Sequence, residues 1–177
     1  MFKFKNFAVA AAFAAAGTIA TADGGWTLDA DASRSAFGSI KKDIIGEVHS
    51  VEEISGKVAE NGAVAIDIAL ASVETLIDIR NERMIEYVFK NAPTATINAE
   101  IDMADVNELS VGASTLVDTT GTIDFVGEQL EVYTELFVTR LSETRVMVTT
   151  NDMIMLTTSD LNLTAGIYKL MDLADLP

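Results

Sequence analysis

His49, the single histidine of the chain, is the natural place to look for chemistry. A hydrolytic triad needs a histidine base beside an exposed nucleophile. Ser50 follows it directly, but neighbours on a strand point to opposite faces. The G-x-S-x-G turn that presents a nucleophilic serine is absent. His49 therefore reads as a residue on the surface of a strand. One histidine and no cysteine cannot build a structural zinc site, and the missing thiols exclude thiolate catalysis. The stretch Asp29-Ala30-Asp31-Ala32-Ser33 begins like a calcium loop, yet Arg34 and Ile40 stand where glycine and glutamate are needed. Carboxylate pairs such as Asp102/Asp105 have the right groups for acid–base work, but nothing in the sequence turns them toward each other. No catalytic residue, metal ligand or cofactor is assigned, and the chain reads as a non-enzyme.

The remaining chemistry is apolar burial with a charged rim. A site for a long apolar ligand is a tube of apolar side chains with one polar mouth. Phe37, Val64, Ile66, Ile68, Leu70, Ile97, Ile101, Phe125, Phe137, Met147 and Met155 are the candidates for its wall. The same side chains would equally fill a solid core, because a sequence does not report volume. Met147, Met153 and Met155 add flexible side chains that adapt to irregular guests or simply fill gaps. Arg80 and Arg83, three apart on one helical face, are the candidates for the polar mouth, where a ligand head group would sit. Their alternative role is ion pairing with Glu82, Glu86 or the acids of a sheet.

Period-two alternation supplies the elements that position these residues. Val64, Ile66, Ile68 and Leu70 point one way while Ala65, Asp67 and Ala69 point the other, which marks a half-buried strand. Residues 78–91 read as a charged helix ended by Pro93, and residues 94–103 as the next strand. Further strands are expected over residues 33–40, 47–51, 54–59, 110–117, 121–126, 130–141, 145–149 and 153–158. Asn61-Gly62 between alternating runs signals a hairpin. Gly127-Glu128-Gln129 and Thr150-Asn151-Asp152 are read as two more hairpin turns. Residues 164–173 repeat apolar positions at helical spacing. Many short strands with regular turns and one inserted helix predict an all-β fold: an antiparallel barrel of about eight strands, a size that holds one small ligand.

Residues 1–22 read as an export leader: Lys3 and Lys5, an alanine-rich apolar run, and Ala20-Thr21-Ala22 as cleavage site before Asp23. Residues 23–177 then form one domain. Without cysteine that domain must rely on its core alone in an oxidising compartment. Removing Lys3 and Lys5 lowers 12 basic residues to 10 against 27 acidic ones, a net charge of −17. That field repels phosphate backbones, so nucleic acid is not an expected partner, and no stable membrane insertion is expected after cleavage. The oligomeric state is open, a homodimer included.

Several segments, taken in order, resemble the YceI-like family of exported polyisoprenoid-binding proteins. These are Trp26-Thr27-Leu28-Asp29 with Ser33 and Phe37, Ile54-Ser55-Gly56-Lys57-Val58, Ser72-Val73-Glu74-Thr75 with Arg80 and Phe89, Pro93-Thr94-Ala95-Thr96, and Gly121 to Gly127. Polar positions depart from the family pattern: Arg80-Asn81 replaces arginine-aspartate, Arg83-Met84 replaces histidine-leucine, and Ala32-Ser33 replaces histidine-serine. The arginine and phenylalanine before the late glycine-isoleucine are missing at Leu163-Thr164-Ala165-Gly166-Ile167. The resemblance implies a lipocalin-like barrel in the periplasm that sequesters or carries a long isoprenoid, of quinone or polyprenyl phosphate type. At about 0.8 kcal/mol per buried methylene-sized group, such a tail carries ample driving force. The rival expectation is an exported stress or interaction protein with a solid barrel and no ligand.

Overall fold

A computed structural model describes residues 8–14, 16–20, 25–41 and 44–175, with side chains from residue 25 onward except Lys41. Thirteen strands occur among these residues. They are β1 (Ala8–Ala14), β2 (Ala16–Ala20), β3 (Trp26–Asp29), β4 (Arg34–Lys41), β5 (Ile45–Val51), β6 (Ile54–Val58), β7 (Ala63–Ala69), β8 (Val73–Glu74), β9 (Thr94–Glu100), β10 (Ser114–Phe125), β11 (Glu128–Ser142), β12 (Arg145–Thr150) and β13 (Ile154–Thr157). Eight of them close an antiparallel barrel in the order β10-β11-β12-β2-β3-β6-β7-β9. The other five form a second sheet, β13-β1-β4-β5-β8. Closure pairs every barrel strand on both sides and removes exposed edges. The barrel matches the expected architecture; the second sheet was not anticipated.

Two segments of the expected leader, β1 and β2, pair as strands: β1 between β13 and β4, β2 between β12 and β3. Lys3, Lys5, Thr21 and Ala22, on which the leader reading rests, lie outside the described residues.

Turn chemistry sets the register. Val126 and Gly127 both take positive φ (52° and 86°), the two-residue turn whose twist suits a hairpin, and Phe125 faces Glu128 across it. The expected strands at 110–117 and 121–126 are one continuous β10, because its inward positions 115 to 125 alternate without a break. The expected hairpin between β12 and β13 does not form; β12 runs in the barrel and β13 in the other sheet.

Helices close both ends of the barrel. At one end α2 (Met103–Glu108), a helix that the sequence reading took for strand and loop, inserts Val106 beside Trp26, Val117, Val138 and Val146. Asp102 caps it, its carboxylate accepting the Ala104 N–H at 2.9 Å, so Asp102 and exposed Asp105 are helix-start residues rather than an acid–base pair. At the other end α1 (Asp78–Arg83) continues into a π-turn, Met84–Val88, whose Met84 and Val88 are buried with Phe89, Leu161 and Leu163. Phe89 meets Phe125 edge-on at 5.6 Å. The terminal α3 (Thr164–Leu173) lies against the π-turn through Gly166, where an added Cβ would sit 2.2 Å from the Tyr87 carbonyl oxygen.

Candidate functional site: an apolar cavity inside the barrel

The two end plugs do not meet. Between them the barrel encloses a cavity of about 160 Å³, a volume like that of an engineered protein cavity that binds benzene. Its wall takes Leu28, Ile54, Ile66, Ile97, Ile123 and Val132 from the side of the π-turn, and Val58, Ile101, Leu136 and Val148 from the side of α2. A smaller space of about 30 Å³ under α2 shares Val58, Ile101, Leu136 and Val148, so the apolar lining continues toward Trp26. The room comes from small residues. Gly56, Ala99 and Gly121 stand where longer side chains would meet, and Gly121 faces Ala99 across the β9–β10 pair.

The wall is apolar although four threonines and a serine contribute to it. The hydroxyls of three of these threonines and of the serine bond to nearby backbone: Thr119 donates to the Glu100 carbonyl (3.1 Å), Thr134 to Glu135 (3.3 Å), Thr149 to Thr150 (2.8 Å) and Ser33 to Asp29 (2.6 Å). Arg34 and Lys57, both exposed, are the charged residues of the lining. Ser33, Arg34, Thr149, Thr150 and Ile154 mark the side where the barrel meets the second sheet.

Strand parity explains where the expected wall residues lie. Val64, Ile66, Ile97 and Ile101 line the cavity. Ile68 and Leu70 are buried in the core cluster beyond it, with Phe125 and Phe37 packed against that cluster. Phe137 and Met155 are exposed, and half-buried Met147 sits outside the lining. On β11, β12 and β13 the inward residues are even-numbered (Val132, Leu136, Val148, Ile154), so odd-numbered Phe137, Met147 and Met155 point away. Leu28, Ile54, Val58, Ile123, Val132 and Leu136 also line the cavity and are not among the expected wall residues, although the alternation of their strands is visible in the sequence.

The two expected head-group arginines are engaged elsewhere. Arg80 bonds Glu47 at 3.0 Å and donates to the Thr75 carbonyl at 2.6 Å. Arg83 donates to the Leu173 carbonyl at 3.4 Å and so ties α1 to α3. Neither lines the cavity.

The sequence places His49 on the surface of a strand; the structure instead buries it, at 6% exposed. Its ring leans on Phe37 at 5.2 Å, and its Nε2 lies 3.3 Å from Ser39 Oγ. Burial, with the positive charge of Arg80, holds its pKa below the ordinary histidine value, opposed by Glu47. Among the described residues no three His, Asp or Glu side chains converge as a metal site, and no helix is long and apolar enough to cross a membrane.

A solved structure shares this architecture. It is a polyisoprenoid binding domain from Saccharophagus degradans implicated in plant cell wall breakdown. It is 31% identical to this chain, with a TM-score of 0.76 over 97% of this chain and 88% of that one. The chain belongs to the YceI-like polyisoprenoid-binding family. BcnA from Burkholderia cenocepacia is 13% identical over 85% of this chain and 96% of that one, with a TM-score of 0.47. No family model and no curated protein matches the sequence.

In this YceI-like chain the segments that carry the resemblance hold the barrel together. Trp26-Thr27-Leu28-Asp29 is β3, which places Trp26 in the plug under α2 and Leu28 in the cavity wall. Gly56 fits because an added Cβ would lie 2.9 Å from the Ala65 carbonyl oxygen. Asn81, where the family has aspartate, accepts the Thr75 N–H (2.9 Å) and hydroxyl (2.5 Å) through its Oδ1, so the substituted residue organises the connector.

Proposed function

We propose that this protein binds a long-chain isoprenoid, of quinone or polyprenyl phosphate type, in the barrel cavity. It shields the tail from water and holds or carries it without chemistry. The observation that carries this reading is the hydrocarbon-walled cavity between two plugs, in a chain whose relative is a polyisoprenoid binding domain. The cavity takes about one isoprene unit as it stands, by comparison with a benzene-sized void. A longer tail requires the wall to part.

Export to the periplasm supplies a route. Cleavage before Asp23 would remove β1 and β2. The edges of β12 and β3, each paired to β2 in the uncleaved chain, would then face each other across a vacant strand position. A tail entering there meets Leu28 and Val148 directly.

The volume favours a second reading. About 160 Å³ is below the 300–1,000 Å³ usual for ligand pockets, as expected for an exported interaction or stress protein with a nearly solid barrel. Lipid extraction of the purified protein followed by mass spectrometry separates the two. A co-purifying isoprenoid, or stoichiometric uptake of an added polyprenyl compound, supports the carrier. Absence of both supports the solid barrel.

A further inference from the structure

The pairing that closes the barrel covers only part of β11. β12 ends at Thr150, opposite Leu136, and the chain then turns into β13 of the second sheet. Among the described residues, positions 128–134 of β11 pair with β10 alone. β13 likewise pairs with β1 alone, at the margin of its sheet. These two half-paired strands border one groove of about 430 Å³, lined by residues 130–135, 152–156 and Asp160.

Alternation fixes which backbone groups face this groove, because successive residues of a strand turn their N–H and C=O to opposite edges. The Glu135 carbonyl accepts the Asn151 N–H at 2.8 Å, on the side that β12 has left. The N–H and C=O of Tyr133 and Glu131 therefore face the groove. On β13 the Thr157 N–H donates to the carboxylate of the groove residue Asp160 at 3.2 Å, so Met155 turns its own N–H and C=O the same way. An unpaired edge is a template for another strand, and here two edges bound one slot. Leu130, Val132, Ile154 and Leu156 line its core side, while Glu131, Tyr133, Met153 and Met155 are exposed on its outer side. Among the described residues the lining carries Glu131, Glu135, Asp152 and Asp160, and neither lysine nor arginine. Asn151 and Thr157 engage Glu135 and Asp160, which leaves exposed Glu131 and Asp152 for an incoming cation.

We propose that this slot receives an extended segment of a partner protein as an added strand, with lysine or arginine at alternate positions and apolar residues between them. Its backbone bonds to Glu131, Tyr133 and Met155, which supplies affinity. Its apolar residues meet Val132 and Ile154, and its cations meet the outer carboxylates with their stems along Met153 and Met155. The acidic lining selects a basic segment over an acidic one. Removal of residues 1–22 takes away none of the lining, and β13 stays anchored through Leu156 in the core cluster and Ile154 packed against it. Val132, Thr134 and Ile154 also line the cavity, but the docking rests on the strand edges and not on the cargo.

The test is fluorescence anisotropy of the purified, delipidated chain with a labelled peptide of alternating lysine and valine, about seven residues long to span the free edge of β11. Wild type binds it saturably and does not bind the glutamate–valine peptide. N-methylation of alternate peptide amides keeps the charge, removes the strand donors and lowers affinity about tenfold. Glu131→Lys lowers affinity about fivefold, because an exposed ion pair becomes a repulsion. Met155→Pro removes a donor that faces the groove rather than β1, a change that edge strands accept, and lowers affinity about tenfold. On binding, the amides of Glu131, Tyr133 and Met155 gain protection from hydrogen exchange. Uptake of a polyprenyl probe is unchanged in Glu131→Lys, so a failure of docking and a failure of cargo binding are told apart. The proposal is overturned if wild type binds no peptide, as when the carboxylates serve only to repel other strands. It is also overturned if the N-methylated peptide binds equally well, or if Glu131→Lys binds as wild type does. Light scattering that shows a dimer dissolved by Met155→Pro would overturn it too, the edge then pairing copies of this chain.

Discussion

Filling the cavity should make the protein more stable and less able to bind. Ala99 on β9 points into the void opposite Gly121, so Ala99→Leu places three more carbons in empty space. At about 0.8 kcal/mol per carbon the gain is about 2.4 kcal/mol. Fixing the leucine rotamer takes back about 0.5–1 kcal/mol, leaving a net of about 1.5 kcal/mol. For a domain of this size that raises the melting temperature by about 3–6 °C. A void comparable to a benzene site accepts an isobutyl group without pushing the wall apart. The assay is thermal unfolding followed by circular dichroism, paired with uptake of a fluorescent polyprenyl probe. Asn98→Leu, one residue away on the exposed outer face, is the control and leaves uptake unchanged. The reasoning is refuted if Ala99→Leu melts lower, as overpacking by 1–3 kcal/mol would make it, or if it takes up probe as well as wild type.

The sites outside the cavity give separable outcomes. His49→Phe flattens the acid side of the stability profile: the folded state holds His49 neutral with a lowered pKa, so wild type loses stability as pH falls below about 6.5, where the unfolded chain takes up the proton. Urea midpoints between pH 5 and 8 measure this, and a variant that keeps the wild-type slope would show that another group is responsible. Arg80→Met costs about 1–2 kcal/mol through the lost Glu47 pair and Thr75 bond, and leaves polyprenyl phosphate uptake intact; a specific loss of phosphate-bearing ligands would restore Arg80 as a head-group residue. Gly166→Ala costs about 1–3 kcal/mol because the added methyl meets the Tyr87 carbonyl, and an unchanged melting temperature would mean that α3 is loosely held.

What could be read from the residues follows from what period two can and cannot encode. Alternation located most strands, and Asn61-Gly62 placed the β6–β7 hairpin. Alternation also carried the cavity wall wherever it was followed strictly, as at Val64, Ile66, Ile97 and Ile101. It failed where residue type was allowed to overrule parity. Phe137, Met147 and Met155 attract attention as bulky apolar groups, but the turn at Val126-Gly127 fixes even-numbered positions of β11 as inward. The void itself depends on Gly56, Ala99 and Gly121 meeting inside the barrel, a coincidence of register between strands far apart in sequence. The burial of His49 depends likewise on Phe37 and Ser39 of the adjacent strand. The helix over Met103–Glu108 carried a local signal that was available, Asp102 at its N-cap.

The central claim is that a lipid tail lies inside the barrel, and photo-crosslinking with a benzophenone-bearing polyprenyl analogue tests it most directly. The account predicts label on inward residues of the wall, Ile66, Ile97, Ile123 and Val132, competed away by unlabelled polyprenyl compound and lost in Ala99→Leu. Label confined to outward residues such as Phe137 and Met155, or no competable label, would contradict it.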